Sequence, residues 1–194
     1  MLNMTRIIGG IAGSRKLESP AKATRPTSDR IRESIFSMLD ARGLLEDAKV
    51  LDLYAGTGAL ALESISRGAA LAHMVERDGK AAAVCVANAK SVQKVMVEEL
   101  AEVETKVINK SVSSFLSAPT TTGYNLVFID PPYEVPNSEI TENLKALLPS
   151  LAMNAVLVIE RSSRTEKFEV PAGFESGEEK HYGDTAIYWL NHNE

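Results

Sequence analysis

The residues best suited to chemistry end an apolar run, in the stretch Leu126-Val-Phe-Ile-Asp-Pro-Pro-Tyr133. The apolar run predicts a fully buried strand of a parallel sheet. Pro131 and Pro132 end this strand because proline cannot donate a hydrogen bond to a sheet ladder. Open α/β sheets bind ligands at the carboxyl ends of their strands, where Asp130 and Tyr133 would lie. Taken alone, the pattern fits an ordinary turn equally well.

A planar amine, such as the exocyclic amino group of a nucleobase, suits this corner chemically. The Asp130 carboxylate and the Pro131 carbonyl oxygen can both accept hydrogen bonds from the amine. These bonds turn the nitrogen lone pair toward an incoming electrophile and stabilise the positive charge that develops. Tyr133 can stack on a base that has been flipped out to reach the pocket. Such a site requires neither a metal nor a covalent nucleophile.

A glycine turn forms a second candidate site, in the stretch Asp52-Leu-Tyr-Ala-Gly-Thr-Gly58. Gly56 and Gly58 let the backbone turn tightly and approach a ligand at the positive end of the following helix. Glu76 lies eighteen residues beyond Gly58, at the end of the next predicted strand, where a carboxylate can bind both hydroxyls of a ribose. The spacing Gly56-x-Gly58-x-x-Ala61 also satisfies the dinucleotide fingerprint, so a nicotinamide enzyme stays an alternative.

Alternating strands and helices position these two sites. The sequence predicts strands at 49–54, 70–76, 105–109, 126–129 and 155–160, and helices at 58–67, 78–97, 113–116 and 138–148. Residues 168–170 and 185–190 are expected to close the sheet as an antiparallel pair. Repeated strand–helix units predict an α/β fold, a Rossmann-like, doubly wound, seven-stranded sheet that is mostly parallel.

The N-terminal part predicts a small extension, so we divide the chain into a basic hairpin or arm at 1–26 and a main domain at 27–194. Two short apolar segments flank Gly9 and Gly10, which indicates a hairpin. Thr27 or Ser28 can cap a helix that runs to about residue 42. Its predicted apolar stripe comprises Ile31, Ile35, Phe36 and Leu39, with Arg30 and Arg32 off that stripe.

Charge is distributed unevenly along the chain. The net charge is −5, which by itself argues against a nucleic-acid partner. Residues 1–42, however, hold eight basic and four acidic side chains, so the rest of the chain is strongly acidic. A basic end on an acidic body is typical of a protein whose one end contacts phosphates. A solvated basic segment without such a partner is the alternative.

Composition excludes several other classes of protein. The single cysteine, Cys85, allows no intrachain disulfide and is expected in the core. His73, His181 and His192 show no spacing typical of metal ligands, so we predict no metal. No apolar run approaches the roughly 20 residues that span a bilayer, and no signal peptide is recognisable. We expect a cytoplasmic protein.

These blocks together resemble class I S-adenosylmethionine-dependent methyltransferases. More narrowly, the chain is similar to the bacterial family that methylates the guanine N2 amine at position 966 of 16S ribosomal RNA. The matching blocks are Arg6–Gly10, Arg15–Leu17, Thr24–Phe36, Leu51–Glu63, Val75–Asp78, Asp130–Tyr133 and Tyr182–Thr185. The Asp130–Tyr133 block is shared with methyltransferases of DNA, RNA and protein glutamine, whereas Thr24–Phe36 narrows the substrate.

The resemblance implies a cofactor and a set of site residues. S-adenosylmethionine would be held by Asp52, Tyr54, Ala55, Gly56, Thr57, Gly58, Glu76, Arg77, Ser111 and Val112. Guanine would be bound and activated by Asp130, Pro131, Pro132 and Tyr133, with Asp29 and Glu33 near the active-site mouth. RNA would be contacted by Arg6, Arg15, Lys16, Arg25, Arg30 and Arg32. Ser111 stands where related enzymes usually offer Asp or Asn to the adenine amine, so its hydroxyl or the Val112 amide is expected to serve.

The resulting hypothesis is direct transfer of a methyl group from S-adenosylmethionine to guanine N2 of 16S ribosomal RNA. The expected partner is that RNA within an assembling small ribosomal subunit, and the expected enzyme is a monomer without metal. Three alternatives stay open: a methyltransferase of another amine (adenine N6 or protein glutamine), an NAD-dependent oxidoreductase, and a non-catalytic RNA-binding factor.

Overall fold

A computed structural model describes residues 5–19, 28–99, 101–118 and 120–193. The helices are α1 (Asp29–Ala41), α2 (Ala59–Ser66), α3 (Gly79–Glu98), α4 (Val112–Leu116) and α5 (Asn137–Leu147), which a 3₁₀ turn at Leu148–Ser150 follows. The strands are β1 (Lys49–Leu53), β2 (Leu71–Val75), β3 (Glu104–Ile108), β4 (Tyr124–Ile129), β5 (Leu151–Ser162), β6 (Phe174–Tyr182) and β7 (Thr185–His192).

All seven strands form one sheet in the order β3-β2-β1-β4-β5-β7-β6. Strands β1 to β5 pair in parallel, and β7 runs antiparallel to both β5 and β6. The predicted doubly wound, mostly parallel sheet is therefore confirmed. The strand order reverses between β1 and β4, and such a reversal opens a crevice at the carboxyl ends of the strands.

Alternating side chains divide the core between the two faces of the sheet. Val50, Phe128 and Val158 lie on the first face and pack against α1, α2 and α3. Leu51 and Ile159 lie on the second face and pack against α4 and α5. Because the middle of the sheet is buried on both faces, the segments 126–129 of β4 and 155–159 of β5 read as continuous apolar runs.

The sheet edge differs from the sequence prediction. Residues 168–170 form no strand, and the partner of β7 is instead the strand Phe174–Tyr182. Phe168 is buried and packs edge-on against the Tyr188 ring, while the Glu169 carbonyl accepts a hydrogen bond from Thr141 Oγ1. The true edge strand is mostly exposed and holds four charged side chains, which protects an open sheet edge but removes the apolar alternation that predicts a strand.

The predicted N-terminal hairpin is present and packs on the domain. Arg6 and Lys16 form an antiparallel bridge, and Ile7 N–H donates to the Arg15 carbonyl at 2.9 Å. Ile7 and Leu17 are buried in the same apolar cluster as α1, α2 and α3. The extension is thus packed on the body of the protein. Residues 20–27, where we place the boundary between arm and domain, lie outside the described part of the chain.

Candidate active site

The two predicted sites lie side by side at the carboxyl edge of the sheet. β1 pairs with β2 on one side and with β4 on the other. In the β1–β4 ladder Leu53 is the partner of Ile129, so Tyr54 and Asp130 follow on neighbouring parallel strands. The glycine loop and the Asp130–Tyr133 corner therefore begin at the same level of the sheet.

The glycine loop has a left-handed backbone at three positions, two of which are glycine. Tyr54, Gly56 and Gly58 have φ angles of +66°, +54° and +80°. A Cβ added at Gly58 would lie 2.8 Å from Cys85 Sγ and 3.0 Å from Met74 Sδ, so α3 and β2 pack directly under the loop. A Cβ at Gly56 would meet no atom within 4 Å, so the space above the loop is open.

Glu76 is held in place at the edge of this loop. Its Oε2 accepts a hydrogen bond from Gly56 N–H at 2.9 Å, and its Oε1 accepts one from Asp78 N–H at 2.8 Å. Asn109 Nδ2 donates to the Glu76 carbonyl at 2.8 Å and so ties β2 to the segment after β3. Each carboxylate oxygen has a second lone pair and can still accept a ribose hydroxyl. The Glu76 carboxylate and the open space above Gly56 fit S-adenosylmethionine, the cofactor that the family resemblance implies.

Asp52 lies beneath the loop. It is 1% exposed, and its Oδ2 accepts a hydrogen bond from Ala61 N–H at 3.3 Å in the first turn of α2. Burial raises the pKa of this carboxyl well above its ordinary value, and the charges of Asp130 and Glu76 raise the pKa further, although the Ala61 hydrogen bond opposes them. The carboxylates of both candidate sites are therefore electrostatically coupled.

Two of the predicted cofactor residues use their side chains in hydrogen bonds within the protein. Tyr54 Oη donates to Glu139 Oε1 at 3.0 Å and accepts from Asn143 Nδ2 at 2.8 Å, so its ring packs toward α5. Burial raises the pKa of this hydroxyl. Ser111 caps α4 by accepting a hydrogen bond from Ser114 N–H at 3.2 Å.

The other predicted cofactor residues lie in the loop backbone, at the surface or in the core. Ala55 N–H donates to the Val75 carbonyl at 2.9 Å, and the Thr57 carbonyl accepts from Asn88 Nδ2 at 3.0 Å. Arg77 is exposed beside Glu76, whereas Val112 is buried in the second core. The loop can thus offer backbone groups of fixed direction.

The Asp130–Tyr133 corner follows β4 directly. Asp130 is half-buried, Pro131 is buried, and Tyr133 exposes 56% of its surface. Val135 N–H donates to the Pro132 carbonyl at 3.0 Å and closes the turn. The corner thus combines an acid at a strand end with an accessible aromatic ring, as the sequence predicts.

Tyr133 borders an open cavity of about 590 Å³, a volume suited to a small ligand. Arg30 and Ile31 from the first turn of α1 line one side, and the β6–β7 turn at 181–185 lines another. Glu160, near the carboxyl end of β5, also lines this cavity. Tyr182 Oη and Ser34 Oγ lie 2.5 Å apart and share a hydrogen bond, which joins the β6–β7 turn to α1.

The predicted RNA-binding residues divide into three groups. Arg6, Arg15, Lys16 and Arg30 are exposed. Arg32 is only 1% exposed, so the prediction that it lies off the buried face is wrong. Its Nη2 donates to the Arg6 carbonyl at 2.9 Å and to Asp29 Oδ1 at 2.7 Å, which ties the hairpin to α1. Arg25 lies outside the described residues.

Four residues that support the site were missed from the sequence. Glu63 is fully buried and accepts hydrogen bonds from Ile8 N–H and Gly9 N–H. Asn88 bonds both the Thr57 carbonyl and the hairpin residue Glu18, and Arg161 Nη2 donates to the Val135 carbonyl behind the corner. The fourth is Glu160.

For three of these residues the sequence does contain a signal. Glu63 and Asn88 interrupt apolar helices at positions that face the core, and a buried polar group requires hydrogen-bond partners. Glu160 follows the buried apolar run 155–159 of β5, much as Asp130 follows the apolar run of β4.

No described helix has the length and apolar character needed to cross a bilayer. Among the described residues, no three His, Cys, Asp or Glu side chains are grouped so that they could hold a metal ion.

Comparison with known proteins agrees with this architecture. The family model Conserved hypothetical protein 95 matches residues 5–191. Ribosomal RNA small subunit methyltransferase D of Escherichia coli strain K12 is 36% identical over 93% of this chain and 86% of its own length. The solved structure of the Escherichia coli protein yhhF is 32% identical, covers 98% of this chain and 99% of its own, and has a TM-score of 0.84. This chain therefore belongs to the family of ribosomal RNA small subunit methyltransferase D, which the Conserved hypothetical protein 95 model describes.

Proposed function

We propose that this protein transfers a methyl group from S-adenosylmethionine to the exocyclic N2 amine of a guanine in 16S ribosomal RNA, at the position usually numbered 966. The observation that carries the proposal is the adjacency of the glycine loop and the Asp130–Tyr133 corner on paired strands β1 and β4. This adjacency brings a methyl donor and an amine acceptor to one cleft. Family membership supports a ribosomal RNA substrate.

S-adenosylmethionine, when bound, supplies a methyl group activated by a positively charged sulfur. Glu76 is the residue best placed to hold the ribose of this cofactor, because two backbone N–H groups fix its carboxylate. The loop from Tyr54 to Gly58 offers backbone groups beside the open space above Gly56. Asp52 supports that loop from beneath through the Ala61 amide.

The corner residues act on the guanine. The Asp130 carboxylate and the Pro131 carbonyl oxygen accept the two N–H groups of the amine, which orients its lone pair toward the methyl group. Asp130 also stabilises the positive charge that develops on the nitrogen, and it can receive the proton that the product releases. Tyr133 stacks on the flipped base, a role suited to an exposed ring at the edge of a cavity.

The protein's partner is 16S ribosomal RNA in an assembling small subunit, and the protein acts on it as a cytoplasmic monomer. The arm at 1–26 contacts RNA phosphates through Arg6, Arg15 and Lys16, and the domain at 27–194 carries out the reaction. Three exposed cations on one hairpin support this assignment, because phosphate contacts supply most of the sequence-independent affinity for RNA.

The test is methylation of small-subunit particles from cells that lack this gene, followed by mass mapping of 16S ribosomal RNA. The wild-type protein should add a methyl group at N2 of one guanine. Asp130→Ala should lower kcat/KM about 100-fold or more, the scale expected when a group that stabilises transition-state charge is lost. Glu142→Ala, which removes a carboxylate from the exposed face of α5, is the matched control.

Other results would contradict the proposal. Full activity of Asp130→Ala would remove the corner from the mechanism. A methyl group found on adenine N6 or on a protein glutamine would show that the substrate is that amine and not guanine N2. Tight binding of NADH without binding of S-adenosylhomocysteine would favour an oxidoreductase.

A further inference from the structure

A third carboxylate lies near the carboxyl end of a strand, on the sheet face that also holds Asp52. Side chains alternate along a strand, so residues two apart share a face. The first core contains Val50 of β1, Phe128 of β4 and Val158 of β5. Two residues further along the chain stand Asp52, Asp130 and Glu160, and Asp130 is the first residue after β4, so we expect all three on that face.

The strand register predicts that two of these acids lie beside each other. Phe128 is the partner of Val158, and Ile129 is the partner of Ile159. Continuing this parallel register by one residue places Asp130 next to Glu160, with the strands about 4.8 Å apart. Glu160 is half-buried and lines the cavity that Tyr133 borders.

Two neighbouring carboxylates repel each other, and this repulsion is offset when each accepts a hydrogen bond. The pair therefore suits a ligand edge that presents several N–H groups in a row. The Watson–Crick edge of guanine has such a row, with the N1–H group directly beside the N2 amine. Adenine places an acceptor, N1, beside its N6 amine, and cytosine places the acceptor N3 beside its N4 amine. A second carboxylate at this point therefore attracts guanine and repels the other two bases.

We propose that Glu160 selects guanine by accepting a hydrogen bond from N1–H while Asp130 holds the N2 amine. This assignment rests on the proposed function and explains how a corner shared by several amine methyltransferases becomes specific. Enzymes read flipped bases through hydrogen bonds to the Watson–Crick edge. A site built to accept a hydrogen bond also rejects an analogue that presents an acceptor instead, since two acceptors then face each other.

The test compares two RNAs that carry guanine or 2-aminopurine at the target position. Both bases have the amine at C2, but N1 of 2-aminopurine is an acceptor. Wild-type protein should favour guanine by about 100-fold or more in kcat/KM. Glu160→Gln keeps the shape of the side chain and can donate to N1 of 2-aminopurine. This variant should lower the preference at least tenfold, by losing rate on guanine and gaining rate on 2-aminopurine.

Asp184→Asn is the matched control, because Asp184 lines the same cavity but pairs with Arg164 at 2.8 Å. It also removes one negative charge, and the ratio of the two rates should stay at the wild-type value. Affinity for S-adenosylhomocysteine and the melting temperature, measured for every variant, establish that the fold and the cofactor site are intact.

The outcomes separate this assignment from the proposed function. If wild-type protein methylates guanine N2 and Glu160→Gln keeps the wild-type ratio, the role of Glu160 is overturned and the proposed function stands. Equal losses on both bases also overturn it, because they indicate a general loss of activity. If wild-type protein methylates no guanine N2, the proposed function itself fails.

Discussion

Replacing Gly58 with alanine should destabilise the fold more than replacing Gly56, although both glycines belong to the same loop. Both have positive φ angles, +54° at Gly56 and +80° at Gly58. The left-handed conformation costs an alanine about 1–2 kcal/mol, and the lower entropy of the unfolded chain offsets part of that cost. Backbone strain alone therefore predicts a loss of about 1 kcal/mol at either position.

The surroundings of the two glycines differ, and this difference sets the magnitude. The added Cβ at Gly58 would lie 2.8 Å from Cys85 Sγ and 3.0 Å from Met74 Sδ, whereas at Gly56 it would meet nothing within 4 Å. Overpacking a core costs about 1–3 kcal/mol. We therefore expect a loss of about 2–4 kcal/mol for Gly58→Ala and about 1 kcal/mol for Gly56→Ala.

Urea unfolding followed by circular dichroism measures these free energies. Cys85→Ala removes the nearest atom, so combining it with Gly58→Ala should recover part of the loss. A double-mutant cycle should give a coupling of about 1 kcal/mol or more. Affinity for S-adenosylhomocysteine should show the reverse order, because the Gly56 methyl group enters the open space where we expect the cofactor. Equal destabilisation by the two alanines, or zero coupling with Cys85, would refute the reasoning.

Three further predictions test the charges around the site. Burial raises the pKa of Asp52 above its ordinary value of 3.8, so the native state binds the proton more tightly and stability should fall as pH rises from 3.8 through the raised pKa. Asp52→Asn should remove this part of the pH dependence in urea unfolding; an unchanged profile would contradict the raised pKa. Replacing Arg15 and Lys16 with glutamine should weaken RNA binding and reduce the slope of log affinity against log salt by about 1–2, whereas a wild-type slope would remove the hairpin from the interface. Glu63→Gln should weaken the docking of the hairpin by about 1–3 kcal/mol, because a buried charged acceptor of two N–H groups is lost. Faster amide exchange at residues 5–19 would show this effect, and protection equal to that of the wild type would exclude it.

Strand ends and the glycine turn could be predicted because their causes are local. Proline stops a strand through its own ring, and glycine permits a left-handed turn through its missing side chain. These rules predict that Asp130 and Gly58 lie just beyond the ends of their strands. The edge strand Phe174–Tyr182 escaped prediction because a charged, exposed strand lacks apolar alternation.

The sequence by itself determined the fold class, the acid at the end of β4, and the glycine turn followed by Glu76, since each depends on residues close together in the chain. Tertiary structure decided which of these groups meet. The burial of Arg32 depends on the Arg6 carbonyl 26 residues away, and the docking of the hairpin depends on Glu63, more than 50 residues along the chain. The expected position of Asp130 beside Glu160 follows from the register of β4 and β5, which packing over the whole sheet sets.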